Sequence, residues 1–190
     1  MRRLALAVLA VAACDNRLEA RVGKAILPQA TGHEARPPGR PVVVLPGEPP
    51  ATPTAGAVLA IDVNVPWAQV RAAVTASPPP GLLVGDFARI RGFHLEDPLG
   101  PGPSIRLTAT PGKFCVAPPG SDLAYCTEAG DHRHISAAFV REVVAKAVAE
   151  YDLHQVVVDA APDLLWADLV RAVDGARTCC RQPVPVALRR

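Results

Sequence analysis

The chain has 190 residues, with 20 Lys and Arg against 18 Asp and Glu, and 49% of its residues are hydrophobic while only 4% are aromatic. That length allows one ordinary domain or two small ones and excludes a large multidomain enzyme. The net charge of +2 gives no basic field for nucleic acid, so we expect no nucleic-acid partner.

The N-terminus has the pattern of a bacterial lipoprotein signal. Two arginines precede an apolar run, residues 4–13, which is shorter than the roughly 20 residues needed to span a membrane. The run ends in Val-Ala-Ala followed by Cys14, which resembles the lipobox and implies cleavage before Cys14 and acylation of that cysteine. Asp15 is similar to the residue that keeps some lipoproteins at the inner membrane. We expect a signal peptide over residues 1–13 and a lipid anchor at the inner membrane facing the periplasm, with the outer membrane as the alternative.

Residues 14–56 are rich in proline, with eight prolines between positions 28 and 53. Proline removes a backbone donor and fixes φ, so this composition predicts an extended, semi-rigid tether. Within the tether, the apolar residues 41–45 favour a short strand.

Residues 57–96 predict a small, partial βαβ module. Residues 57–62 are aliphatic and indicate a strand, and residues 66–76 indicate a helix whose proline suits its first turn. Residues 82–87 predict the returning strand.

Residues 104–190 predict a larger module. Residues 104–109 and 113–117 alternate around a Pro-Gly turn and predict a hairpin. The next helix is expected to begin after Ser136, a favourable N-cap, and its valines recur at spacings of three and four as far as Tyr151.

The remainder of this module predicts a strand, a helix and an edge strand. Residues 155–159 are typical of a buried strand, residues 164–176 indicate a helix with Asp163 as its cap, and residues 183–188 contain prolines that favour an edge position. The predicted fold class is therefore α+β. It has small mixed sheets with amphipathic helices packed on one face, in a ββαβαβ module preceded by the partial copy.

Four cysteines follow the predicted lipidation site. In an oxidising compartment disulfides persist, and Cys115 and Cys126 flank a turn-rich stretch, so we predict one bridge between them. The neighbouring Cys179 and Cys180 can bridge only with strain. Free thiols, pairing with a partner and a mutual bond therefore all stay open for this pair.

The two modules share an internal similarity centred on the two tryptophans. When Trp67 is aligned with Trp166, alanines and aliphatic residues match along both helices, and each helix follows an aliphatic strand at the same distance. We interpret the tryptophans as the anchors of a structural repeat, each buried where a strand leads into a helix.

These residues resemble the ExbD/TolR family. Residues 155–177 (QVVVDAAPDLLWADLVRAVDGAR) look like its strand–helix signature, in which a valine-rich strand leads to an acidic, proline-containing turn, an aromatic residue and an amphipathic helix. Residues 57–76 (AVLAIDVNVPWAQVRAAVTA) are similar around their turn. Residues 104–117 resemble the family's first hairpin, and residues 136–151 its first helix.

The resemblance implies an α+β periplasmic domain that dimerises and binds envelope partners in energy-coupled biopolymer transport. The implied partners are an ExbB/TolQ-like membrane protein, peptidoglycan or a second copy of the chain. Family members also carry a membrane-spanning helix with an acidic residue for proton coupling, a costly and therefore functional group in a bilayer. Residues 4–13 contain no acid. We therefore expect the binding domain without the proton-coupling helix.

Few residues suggest catalysis. His132 and His134 would face the same way on a strand and could ligate zinc, but they lie in a polar segment before a helix. Cys179 and Cys180 lack the C-x-x-C spacing of redox motifs. We predict a binding protein with no catalytic residue, metal or cofactor. The alternatives are a thiol- or zinc-dependent envelope enzyme that uses these four residues, and a structural spacer lipoprotein.

Overall fold

The computed structural model describes residues 19–49, 56–75, 79–121, 124–128 and 134–189. Cys14 and the predicted signal peptide lie outside these residues. The elements within them follow in chain order: β1 (Arg21–Val22), β2 (Ala25–Ile26), β3 (Pro41–Val44), β4 (Val58–Ile61), α1 (Trp67–Val74), β5 (Gly81–Asp86), β6 (Arg89–Phe93), β7 (Ile105–Thr110), β8 (Lys113–Ala117), β9 (Tyr125–Glu128), α2 (Ala137–Tyr151), β10 (Val156–Ala160), α3 (Trp166–Arg177) and β11 (Val186–Leu188).

The first unit is a four-stranded sheet in the order β3-β4-β5-β6, parallel except for the β5–β6 hairpin. Both faces of its central strand are covered. Leu59 and Ile61 lie in the main core with α1, while Val58 and Ala60 pack against Ala20 and Leu27 of the N-terminal segment. Neighbouring residues of a strand point to opposite faces of the sheet, and both faces are covered here. All four residues of β4 are therefore buried.

The second unit is a five-stranded sheet in the order β11-β10-β7-β8-β9. Its strands β7, β10 and β11 are parallel, and β7, β8 and β9 form an antiparallel meander. Ile105, Leu107 and Ala109 of β7 are buried, whereas Arg106 is exposed, so one face of this sheet packs on helices and the other meets solvent. The mixed helices and sheets confirm the predicted α+β class.

Helices α2 and α3 cross at a glycine. A Cβ atom built on Gly175 would lie 2.6 Å from the carbonyl oxygen of Ala137 and 2.8 Å from the Cβ of Val140. Only a residue without a side chain permits this approach. The close crossing helps to bury α3, in which every residue except Arg171 is buried.

The two units meet at the turns in which β4 leads into α1 and β10 leads into α3. Pro66 and Leu165, which stand immediately before α1 and α3, form an antiparallel bridge. Trp67 donates its backbone N–H to Leu164 O at 2.7 Å, and Trp166 donates to Val65 O at 2.8 Å. The next residue of each helix makes the same exchange, Ala68 N–H to Pro162 O at 2.8 Å and Ala167 N–H to Val63 O at 3.1 Å.

This exchange is reciprocal and gives the junction an approximate two-fold symmetry. The first N–H groups of a helix have no acceptor within the helix itself. At this junction each helix finds those acceptors in the turn of the other unit. Trp67 and Trp166, the predicted repeat anchors, are both buried as the first residues of their helices.

Three of the sequence predictions differ from the structure. The tether predicted for residues 14–56 is folded over its described part, residues 19–49, where Ala30 and Glu34 hydrogen-bond to Gly85 and Gly92. Two strands were not predicted, β6 in the partial module and β9 in the larger one. The element order of the larger module is therefore βββαβαβ instead of the predicted ββαβαβ. The N-cap of α3 is Leu165, not Asp163. Ser136 stands at the N-cap of α2 as predicted, although its side chain makes no capping bond there.

Candidate functional site

A cleft of about 870 Å³ opens beside the junction. Its lining includes the N-terminal segment 26–31, which we call the N-terminal wall, the segment 134–137 with Arg141 of α2, the turn residues Val63 and Asn64, and residues of α3. We call this space the junction cleft. Its volume falls within the range of roughly 300–1,000 Å³ that small-molecule sites occupy.

Two buried acids hold the N-terminal wall. Asp62, at the end of β4, accepts the backbone N–H of Ile26 at 2.9 Å and that of Asn64 at 3.0 Å. Asp174 of α3 accepts the backbone N–H and the hydroxyl of Thr31 and, at 2.6 Å, the N–H of Gly32. These bonds replace the water that burial removes from the carboxylates.

A third buried acid holds the segment 134–137 of the lining. Asp168, whose side chain is 2% exposed, accepts the backbone N–H of Ile135 at 3.1 Å and the Arg171 guanidinium at 2.7 Å. His134 Nδ1 lies 3.4 Å from the other carboxylate oxygen. The three acids thus position the backbone of the cleft.

Arg141 is the cation of the cleft whose described partners are all uncharged. Its Nη2 donates to the Thr178 hydroxyl at 3.1 Å and to the Thr31 hydroxyl at 3.4 Å, and its Nε donates to Thr178 at 3.3 Å. Within the described residues no carboxylate lies within ion-pair distance of this guanidinium. This half-buried guanidinium retains unused donors for an anion.

The rim of the cleft carries an exposed aromatic ring. Phe87 is 77% exposed and occupies the two-residue turn between β5 and β6. Its φ of +52° is unusual for a residue with a side chain and costs on the order of 1 kcal/mol. Gln29 donates to its carbonyl oxygen at 3.4 Å, which ties this turn to the N-terminal wall.

The four cysteines within the described residues are not part of the cleft lining. Cys115 and Cys126 face each other on β8 and β9 and form a disulfide. Cys179 and Cys180 are free thiols with their Sγ atoms 2.8 Å apart. Burial and the hydrogen bond with Cys180 raise the pKa of Cys179, so the thiol is favoured over the thiolate. A protonated thiol is a poor nucleophile and a poor metal ligand.

Of the two histidines considered as zinc ligands, only His134 falls within the described residues. It lines the junction cleft beside Asp168, and Cys179 and Cys180 do not line that cleft. In the described part of the chain no three His, Cys, Asp or Glu side chains come close enough together to hold a metal ion. His132 and Cys14 lie outside the described residues.

A second polar cluster joins the two units away from the cleft. Arg177 of α3, with its side chain 8% exposed, donates to Asp97 at 3.0 Å and to the His94 carbonyl oxygen at 3.0 Å, and its guanidinium stacks on Phe93. Asp97 also accepts the backbone N–H of Val186 at 2.9 Å. This cluster fixes the residues after β6 to α3 and β11.

A scan against protein-family models and searches of curated proteins and of solved structures found no match to this chain. Among the described helices, none has the length and hydropathy needed to cross a membrane.

Apart from His134, the sequence does not indicate the charged residues that form the cleft or position its backbone. Arg141 falls on the polar face of an amphipathic helix, where a solvated arginine is the ordinary expectation. Asp168 and Asp174 also occur as single acids in a helix. Their burial follows from α3 lying between the two units, and no local pattern encodes that position.

Proposed function

We propose that this chain is a non-enzymatic binding protein of the cell envelope, anchored through a lipid on Cys14 and facing the periplasm. It resembles the binding component of ExbD/TolR systems without the proton-coupling membrane helix. The junction cleft is its binding site. The observation that carries the proposal is a cleft of about 870 Å³ whose backbone is positioned by three buried acids, Asp62, Asp168 and Asp174, each engaged with the protein's own groups.

The form of the cleft supports binding more than it supports chemistry. Asp62, Asp168 and Asp174 each accept at least two hydrogen bonds from the walls. A carboxylate in that state positions backbone and is poorly suited to act as a general base, which needs a free lone pair aimed at the substrate. The raised pKa of Cys179 likewise disfavours a thiolate nucleophile.

The junction also supports the resemblance to a dimerising family. Two related strand–helix units associate here within one chain through the Pro66–Leu165 bridge. We propose that this internal pairing takes the place of pairing between two copies at the same surface. An ExbB/TolQ-like membrane protein or peptidoglycan would then be bound elsewhere, at the open cleft.

Photo-crosslinking in the envelope tests the binding site. The photoreactive residue p-benzoylphenylalanine would replace Phe87 at the rim or, as a control, Lys146, whose side chain is 75% exposed on α2. We expect position 87 to give an adduct with an integral membrane protein or peptidoglycan. The additional variant Asn64→Trp narrows the cleft and should abolish this adduct. Equal adducts from both positions, or none, would contradict the proposal.

Metabolic labelling tests the anchor. Labelled palmitate should be incorporated by the wild-type chain and lost in Cys14→Ser, because that thiol is the expected acylation site. Persistent labelling of the variant would rule out Cys14 as the anchor.

A further inference from the structure

The junction cleft combines an apolar surface with one cation, Arg141, that has no carboxylate within ion-pair distance among the described residues. Ile26, Val63 and Leu165 line it and are half-buried, and Phe87 adds an exposed ring at the rim. Apolar side chains left accessible inside a cleft gain free energy when a ligand covers them, at roughly 25 cal/mol per Å².

The charges around the cleft identify the polar part of that ligand. Besides Arg141, the lining includes Arg171 and His134, which both face the Asp168 carboxylate. These groups leave the Arg141 guanidinium, beside the hydroxyls of Thr31 and Thr178, as the positive charge of the lining without a carboxylate at ion-pair distance among the described residues.

None of the acids in the lining forms an ion pair with Arg141. Asp174 accepts the backbone and hydroxyl of Thr31 and the N–H of Gly32. At the rim, Asp86 faces His33 at 3.2 Å and Arg91 at 3.6 Å, and Glu19 pairs with Arg21 at 2.6 Å. None of these carboxylates lies within ion-pair distance of Arg141, and Asp174 is linked to it only through the Thr31 hydroxyl, which accepts from Arg141 and donates to Asp174.

From this arrangement we infer that the junction cleft binds an amphipathic anionic group, which is the part of its partner that enters the cleft. Its carboxylate or phosphate group pairs with Arg141 beside the two threonine hydroxyls, and its apolar part covers Ile26, Val63 and Leu165 and touches Phe87. A guanidinium recognises both anions through paired N–H donors. The inference rests on the proposed function and specifies the ligand class of the same cleft.

Calorimetric titration of the full-length chain, purified without its lipid, tests this with four probes that share a twelve-carbon tail. The probes are dodecanoate, dodecyl phosphate, dodecan-1-ol and dodecyltrimethylammonium, all below their micellar concentrations. We expect one site for at least one of the two anions, with the alcohol and the cation binding at least tenfold more weakly. The stronger anion identifies the head group as carboxylate or phosphate.

Two variants and one control separate charge from shape. Arg141→Gln should weaken anion binding at least tenfold while leaving the binding of the alcohol unchanged, and Arg141→Lys should restore part of the loss. Asn64→Trp, at an exposed turn position of the lining, should weaken dodecanoate more than octanoate because it shortens the apolar surface. Arg71→Gln, on the exposed side of α1, should change nothing.

Equal affinity for dodecan-1-ol and the anions, or unchanged binding by Arg141→Gln, would overturn the inference. So would the absence of binding by both anions. If cleft crosslinks from position 87 persist in that case, the proposed function stands and only the ligand class is wrong. If the crosslinks are also absent, both fail.

Discussion

Pro66 and Leu165 face each other as an antiparallel bridge at the start of two different helices, and each is followed by a buried tryptophan whose N–H is accepted by the opposite turn. The pairing places Trp67 and Trp166 in equivalent positions, each after the turn that follows a strand, β4 for Trp67 and β10 for Trp166. It also brings two sheets of different size onto one hydrophobic core.

We predict that Trp166→Ala and Trp67→Ala destabilise the chain by similar amounts, about 3–5 kcal/mol each, because both remove a large side chain from the core. Urea unfolding followed by circular dichroism measures this. Phe139→Ala, at a side chain that is 60% exposed, is the control and should change the free energy of unfolding by less than about 0.5 kcal/mol. A loss below about 1 kcal/mol in either tryptophan variant would show that the junction does not depend on it.

Acid should weaken the Asp97 cluster. Burial raises the pKa of Asp97, but hydrogen bonds from His94 and Val186 and the charge of Arg177 outweigh it and lower the pKa to about 2. A carboxyl with a lowered pKa stabilises the fold above its unfolded value of about 3.9, and this contribution disappears as the pH falls towards 2.

The variant Asp97→Asn should therefore lose at least about 2 kcal/mol at pH 7, where the Arg177 charge is left unpaired, and much less near pH 2. Unfolding free energies measured from pH 7 down to pH 2 provide the comparison. Asp152→Asn, at a side chain that is 95% exposed, is the matched control. If the wild-type and Asp97→Asn curves run parallel across this range, the lowered pKa is not the source of stability.

Gly175→Ala should be destabilising, although alanine normally stabilises a helix relative to glycine by roughly 0.5–1 kcal/mol. The added Cβ would meet the Ala137 carbonyl oxygen and the Val140 side chain, so α2 and α3 must separate. We expect a loss of about 1–3 kcal/mol in thermal or urea unfolding. Gly100→Ala, where the nearest atom is 3.9 Å away, is the control and should be close to neutral. A stabilised Gly175→Ala would mean that the helices do not cross there.

The thiols of Cys179 and Cys180 should react slowly as nucleophiles yet bind a trivalent arsenical together. Burial and the neighbouring thiol raise the pKa of Cys179, so its alkylation by iodoacetamide at pH 8 should be slower than that of glutathione. Phenylarsine oxide needs two adjacent sulfurs, and the Sγ atoms lie 2.8 Å apart. Mass spectrometry should show one arsenical per chain, lost in either Cys179→Ser or Cys180→Ser. Fast alkylation would revive the thiol-enzyme alternative.

Much of the fold could be predicted from local pattern. The aliphatic run of β4, the alternation in β7 and the valine spacing of α2 each encode their element, because one face of each element must be buried. The pairing of N-terminal residues with Gly85 and Gly92 could not be predicted in this way. A proline-rich composition predicts an extended segment without partners. Here Ala30 and Glu34 are instead held by carbonyl oxygens of Gly85 and Gly92, in strands that come much later in the chain.

The candidate site was less predictable than the fold. His134 was considered as a zinc ligand, and the structure places it beside Asp168 in the junction cleft. Arg141 was not singled out, because its role depends on Thr31, a residue far away in sequence. Only the three-dimensional packing of the N-terminal segment against α2 and α3 joins them.

The hydrogen bonds that join the two units at Trp67 and Trp166 connect main-chain atoms only. Such bonds tolerate almost any side chain, provided that the donor is not proline. Substitutions can therefore accumulate in the two turns independently, and the halves of the chain can lose their similarity while their contact persists. An inserted or deleted residue between strand and helix would instead shift every donor past its acceptor. The junction thus requires a fixed turn length, and a distant relative should be sought by that spacing more than by its residues.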